Sequence, residues 1–149
     1  MSNSKVPVPT KFQLISNYRF LLEIPGIDCF LVKSVERPPY IRPRQQWSRV
    51  KQDWELLDEH LANKKLIVVL HNSFGPSTEQ QVQELINKPE AELEVKIKFL
   101  DPVGAVIGLR VFKRVKLERV DYDALTYDST KELSEIKLTL SFNSETLLF

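Results

Sequence analysis

Reactive side chains are scarce in this chain. Cys29 is its single cysteine, so no intramolecular disulfide can form, which fits folding in a reducing compartment. Its neighbours are apolar and no histidine lies near it in sequence, so it is expected as a small core residue. His60 and His71 stand apart, and two unsupported histidines do not make a metal site. Only four glycines are present, and no phosphate-cradling loop is among the segments that hold them. No nucleophile has a recognisable setting, so an enzyme is the least expected class, and neither a cofactor nor a metal is called for. The net charge of +1 removes the bulk attraction of a polycation for nucleic acid. No apolar run approaches a membrane span, and residues 1–10 lack a signal peptide's apolar core. The expectation is a protein made in a cytoplasm, with no membrane partner.

What is present is architectural. Hydrophobic residues make up 42% and charged residues 28% of 149, enough for one domain over residues 1–149 with a core of its own. Leu93, Val95, Ile97 and Phe99 alternate with Glu94, Lys96 and Lys98, the pattern of a half-buried strand. Asp101, Pro102 and Gly104 then form a structural turn: proline presets a turn dihedral, aspartate bonds the backbone beyond it, and glycine takes what other residues cannot. A second strand follows with Ile107, Leu109 and Val111 on one face, closing an antiparallel hairpin. It runs on toward Arg119, and its alternation slips between Val111 and Val115, the mark of a bulge or bend. Asp121 to Asp128 is a connecting segment. Ile136, Leu138, Leu140 and Phe142 mark another strand, from about Leu133 to Phe142.

Earlier in the chain, residues 1–11 read as a flexible N-terminal arm. Tyr18, Phe20, Leu22 and Ile24 share one face of a first strand, Pro25-Gly26 turns the chain, and Ile27 to Val35 is expected to complete a short hairpin. Pro38, Pro39 and Pro43 forbid a helix or central strand across 37–43, which should be extended and exposed. In 44–62, Trp47, Val50, Trp54, Leu57 and Leu61 fall at helical spacing; the stripe favours a partial helix, against an irregular excursion with Trp54 in a strand. Lys65 to His71 is a short apolar run that fits a well-buried strand. Ser77 or Thr78 caps a short helix with Val82, Leu85 and Ile86 as its stripe, stopped by Pro89. Leu147, Leu148 and Phe149 form an apolar tail, expected to pack on the body of the protein or on a partner.

Charge is segregated. From Lys33 through Lys51 stand six basic residues against one acid, and Asp53, Glu55, Asp58 and Glu59 follow. For an isolated domain this is a solvated face. In an assembly it is a docking surface whose basic part meets acidic parts of a neighbouring copy. The candidate interface residues are Arg37, Arg42, Arg44, Trp47, Arg49, Asp53, Trp54 and Glu55, with Asp121, Asp123 and Asp128 on the acidic side. The basic strand Arg110–Arg119 lacks interleaved aromatics for stacking bases and is taken as solvent-facing or interfacial.

The order of elements resembles the tail tube proteins of contractile-tailed bacteriophages and the related tube proteins of contractile injection systems. The likeness rests on Tyr18–Val35, on Lys65–His71 with the helix at Glu79–Ile86, and on the closing block. That block holds Leu100-Asp101-Pro102-Val103-Gly104, Asp121-Tyr122, Tyr127-Asp128 and Glu135-Ile136-Lys137-Leu138-Thr139-Leu140. It covers most of the chain as a pattern, and residues 37–62 depart from it: the family's extended inter-ring loop is replaced by a stretch with a helical stripe and two tryptophans.

The resemblance implies a mainly β fold, an antiparallel β-sandwich or half-barrel with one short α-helix. It implies hexameric rings in which strands of neighbouring copies join into one barrel around a channel. Rings stack into a tube, with sheath, baseplate and tail-terminator proteins as partners, and DNA and the tape-measure protein pass through without specific contacts. The place of such a protein is the virion tail, after synthesis in the host cytoplasm, and the lumen should carry acidic or neutral residues. A baseplate, tube-initiator or tail-terminating protein of the same fold is the alternative; a monomeric β-barrel module for a small ligand or single-stranded nucleic acid is the reading from another class.

Overall fold

The computed structural model describes residues 14–40, 45–48, 53–56, 64–88, 92–128 and 133–149. Nine strands are described: β1 (Phe20–Glu23), β2 (Val32–Glu36), β3 (Gln45–Ser48), β4 (Asp53–Leu56), β5 (Lys65–His71), β6 (Leu93–Leu100), β7 (Val106–Tyr122), β8 (Glu135–Ser141) and β9 (Ser144–Leu147). A 3-10 turn spans Cys29–Leu31, and one helix, α1, spans Thr78–Ile86. Seven strands form one antiparallel sheet in the order β1-β6-β7-β8-β5-β2, with β9 also on β7; β3 and β4 pair separately. The sheet is not closed. This is the mainly β, half-barrel class expected from the sequence.

β7 belongs to both halves of the sheet. Its first part pairs with β6 on one side and with β9 on the other; from Lys116 onward it pairs with β8. The change of partner coincides with a bulge. Leu93 faces Val115 but Val95 faces Phe112, so β7 spends one residue more than β6. Arg114 takes φ 55 there, in the left-handed region. The extra residue lets Phe112 and Val115 both point inward at 0% exposure, three positions apart, which strict alternation forbids. Lys113 and Arg114 between them are exposed. The slip between Val111 and Val115 is thus the bend it was expected to be.

One core joins the halves. Leu22, Val95, Ile97 and Phe99 come from β1 and β6; Leu66, Val68, Leu70, Ile136, Leu138 and Leu140 come from β5 and β8. Phe112 packs edge-on against Phe142, ring centroids 4.9 Å apart. Opposite Phe99 stands Gly108, where an added Cβ would lie 3.1 Å from the Phe99 ring, so the small residue makes room for the large one.

α1 closes one end. Ser77 caps it, its hydroxyl accepting from Gln80 N at 3.3 Å. Val82 and Leu85 are buried, whereas Ile86 is exposed and does not belong to the core stripe. Asp28 and Gln81 exchange two hydrogen bonds, Asp28 N to Oε1 at 2.9 Å and Nε2 to Asp28 Oδ2 at 2.8 Å. The fully buried Thr78 hydroxyl donates to His71 O at 2.7 Å and accepts from Ser73 N at 2.9 Å, tying the 72–77 turn to the end of β5.

Several expectations fail for identifiable reasons. Residues 27–35 form no hairpin with β1. Ile24 and Ile27 make one bridge, the chain then coils through the 3-10 turn, and β2 crosses to β5 while β1 pairs with β6. Cys29 lies in that 3-10 turn and is exposed, not a core residue. Tyr18 is exposed, outside β1. In β7 it is Phe112, with Gly108 two pairs away, that faces the core-forming side of β6; Ile107 packs against the core partly buried, whereas Leu109 and Val111 lie outside it. Residues 45–48 and 53–56 are paired strands rather than helix, with Trp47 opposite Trp54, so the alternative of Trp54 in a strand is the one observed. β5 buries Leu66, Val68 and Leu70 on one face only, leaving Ile67 and Val69 half-buried on the other. The Asp101 turn is as expected: Asp101 Oδ1 accepts from Val103 N at 3.0 Å and Ala105 N at 2.7 Å, and Gly104 takes φ 88. The N-terminal arm, His60 and the remaining positions of 44–62 lie outside the described residues.

Within β8 the two faces should respond differently. Leu138→Ala removes a side chain at 0% exposure and is expected to cost about 2–5 kcal/mol, while Lys137→Ala on the outer face stays within about 0.5 kcal/mol, both read by urea denaturation. Thr78→Val strands the His71 carbonyl and the Ser73 amide and should cost about 1–3 kcal/mol in the same assay, with Thr78→Ser recovering most of it.

Candidate assembly surfaces

Because the inner faces fill one core, the outer faces and the edges of the two halves are what remain to meet other molecules. The first half is β1, β6, the start of β7, and β9. The second is the end of β7, β8, β5 and β2. Pairing registers align their outward residues in rows. Across the second half run Ser34, Val69, Lys137 and Asp121, and next to them Glu36, Ile67, Thr139 and Arg119. Three ion pairs lie on this half: Lys33–Glu135 at 3.0 Å, Lys65–Glu118 at 3.1 Å and Arg119–Asp121 at 2.9 Å. Across the first half run Leu21, Lys98 and Leu109, and Glu23, Lys96, Val111 and Thr146, with Lys98–Glu23 at 2.6 Å. Both halves mix charged and apolar residues on these rows, and Val111 in the first is buried.

Both halves have open edges. Among the described residues β2 pairs only with β5, and residues 116–122 of β7 only with β8. Unpaired backbone of that length is a template for another strand. The loops beyond the sheet add exposed apolar side chains. At the end where His71 meets Glu135, Asn72 N donates to Ser134 O at 3.1 Å and Glu135 N donates to Asp123 Oδ2 at 2.7 Å, gathering the connecting loops. Phe30, Phe74, Leu125, Tyr127 and Leu133 stand exposed on segments adjoining this end. At the hairpin end, Tyr18, Val103, Leu148 and Phe149 are exposed. Exposed apolar groups thus stand at both ends of the sheet.

The described interface candidates fall on several elements. Arg37 lies over the Phe99 ring, 5.4 Å from its centroid, and remains exposed. Arg42, Arg44 and Arg49 lie outside the described residues. Trp47 is half-exposed on β3, and Asp53, Trp54 and Glu55 occupy β4 opposite it. Asp121 is on the outer face of β7 beside Arg119, Asp123 anchors the start of β8, and Asp128 lies in the exposed loop, where its backbone N donates to Thr126 Oγ1 at 3.3 Å. The apolar tail is docked by its backbone: Leu148 N donates to Leu109 O and Leu109 N donates to Phe149 O, with the side chains left exposed. Missed from sequence were β9 and the edge pair β2 and β7. Alternating Lys, Glu and Arg along 116–121 was the available signal for an outward strand face.

A cavity of ≈ 160 Å³ opens beside α1, lined by residues that include Pro25, Gly26, Gln81, Leu85, Leu93 and Leu117. Among the described residues no three His, Cys, Asp or Glu are grouped to hold a metal, and no helix is long and apolar enough to cross a membrane.

No protein-family model and no curated protein matches the sequence. Solved structures match its fold. A chain of the sheath–tube complex of an extracellular contractile injection system (PVC) in the extended state superposes with a TM-score of 0.63 at 14% identity, over 90% of both chains. The chain has the tail tube fold. The match extends to a chain of the tube-terminating cap of the anti-feeding prophage, TM-score 0.66 at 13% identity, over 99% of this chain and 98% of that one. Hcp1 from Flavobacterium johnsoniae aligns at 0.56 and 14% identity, over 88% of this chain and 95% of Hcp1. At such identities what is shared is the fold.

The surface ion pairs should contribute little to that fold. In a Lys65→Ala, Glu118→Ala double-mutant cycle the coupling is expected below about 1 kcal/mol by denaturant unfolding, since both side chains are about two-fifths exposed.

Proposed function

We propose that this protein is a structural subunit of a tail tube, closing into rings that stack around a channel. The observation that carries this reading is the fold likeness, which runs along nine-tenths or more of both chains for the sheath–tube and cap neighbours. The open strand edges and the apolar ends support it, because a closed barrel pairs such edges and stacking covers such ends. Rings of six copies follow from the family resemblance and accord with a neighbour taken from a six-fold symmetrised baseplate. The partners are then further copies of the chain, a sheath, a baseplate and a terminator, on a phage tail or an injection particle. DNA or another cargo slides through without being gripped. The role is mechanical and not enzymatic.

The second reading keeps the fold and places the chain at an end of the tube, as a terminator, initiator or baseplate protein. It is favoured by the nearly complete coverage of chains from two end structures, the anti-feeding prophage cap and the PVC tube terminator, against 90% for the sheath–tube chain.

Light scattering and negative-stain microscopy over rising concentration separate the two. Rings or tubes of uniform width are expected. A monomer that never assembles alone turns the assignment to the end-of-tube role.

A further inference from the structure

The cavity beside α1 and the loop after β7 are two features that the fold itself does not use. We infer that they are the two sides of one contact: the ring of Tyr127 from a second copy enters the cavity, and Asp128 of that copy meets Lys88 at its mouth. The contact rests on copies that associate, as the tube reading does, and names one place where they touch.

The cavity has the size and lining of a site for one aromatic ring. Its volume is ≈ 160 Å³, and an apolar hollow of roughly 150 Å³ admits benzene. Leu85 of α1, Leu93 at the start of β6 and Leu117 of β7 supply apolar walls. Gly26, which lines the cavity at φ 87, has no side chain to narrow it. The walls are held in place within the copy. Asp28 and Gln81 exchange two hydrogen bonds, and the Thr78 hydroxyl ties the start of α1 to the end of β5. A site built in advance spares the cost of ordering it on binding.

The mouth is polar and unspent. Glu84 on α1 and Lys88 just past its end are exposed lining residues, and neither makes an ion pair or side-chain hydrogen bond among the described residues. A ring bearing a hydroxyl finds an acceptor in Glu84, and an anion beside the ring finds Lys88.

The occupant follows from what the chain exposes. Phe74 and Tyr127 are aromatic side chains that stand wholly in solvent. Of these two only Tyr127 carries a hydroxyl for that mouth, and only Tyr127 is followed by an acid. An amphipathic ring gains from a buried body and a wet tip. Asp128 makes no ion pair among the described residues, and residues 121–128 hold three aspartates and no base, so charge draws this loop to Lys88. The loop does not line the cavity of its own copy. Knob and socket are therefore different surfaces, and the contact runs from one copy to the next.

Sedimentation velocity over rising concentration tests this on the full chain. Tyr127→Ala, at an exposed position, should weaken self-association by roughly tenfold or more, and Tyr127→Phe by less. Lys88→Asp and Asp128→Lys should each weaken it, and the two together should restore it. A second readout uses p-cresol, the tyrosine side chain as a free molecule. It should raise the melting temperature of the Tyr127→Ala protein, and should not do so once Leu117→Phe fills the cavity. Association unchanged by Tyr127→Ala, or a charge swap that restores nothing, overturns the contact and leaves the tube reading standing. A cresol shift absent from the first protein, or equal in both, overturns the cavity as the socket. A wild-type chain that stays monomeric at every concentration overturns the contact and the tube-subunit reading together.

Discussion

The fold depends on the bend in β7. A straight strand of that length would belong to one sheet and bury one set of alternate residues. By spending one extra residue at Lys113–Arg114, β7 leaves β6 and joins β8, with Phe112 and Val115 both inside. The two halves then share a strand instead of a loop, and one core serves both. Arg114 holds a left-handed backbone at this point, which costs a non-glycine residue on the order of 1–2 kcal/mol. The burial of two whole side chains on either side offsets it.

The same bend creates the unpaired edges. Once β7 has turned away from β6 and β9, its last residues have a strand neighbour on one side only among the described residues, and β2 at the far side of that half has the same condition. A stable monomer would be expected to blunt these edges with prolines or inward-pointing charge. Instead the charges point outward and the prolines of 38, 39 and 43 come after β2 ends. The geometry that completes the core thus leaves backbone at the rims of this half unpaired among the described residues.

Legibility in the sequence followed the strength of the local pattern. β6 and β8 alternate strictly, so their burial could be read residue by residue, and the Asp101 turn and the Ser77 cap announce themselves through side chains that bond their own backbone. Pairing partners were less legible. Tyr18–Ile24 and Ile27–Val35 looked like a hairpin because Pro25-Gly26 separates them, yet the turn is followed by a 3-10 coil and both strands find partners far along the chain. Trp47 and Trp54 are seven apart, a spacing that two turns of helix and a short cross-strand pair both satisfy, and the pair prevailed. The interface was least legible, since Arg37 is ordinary in sequence and its position over the Phe99 ring is visible only in the fold.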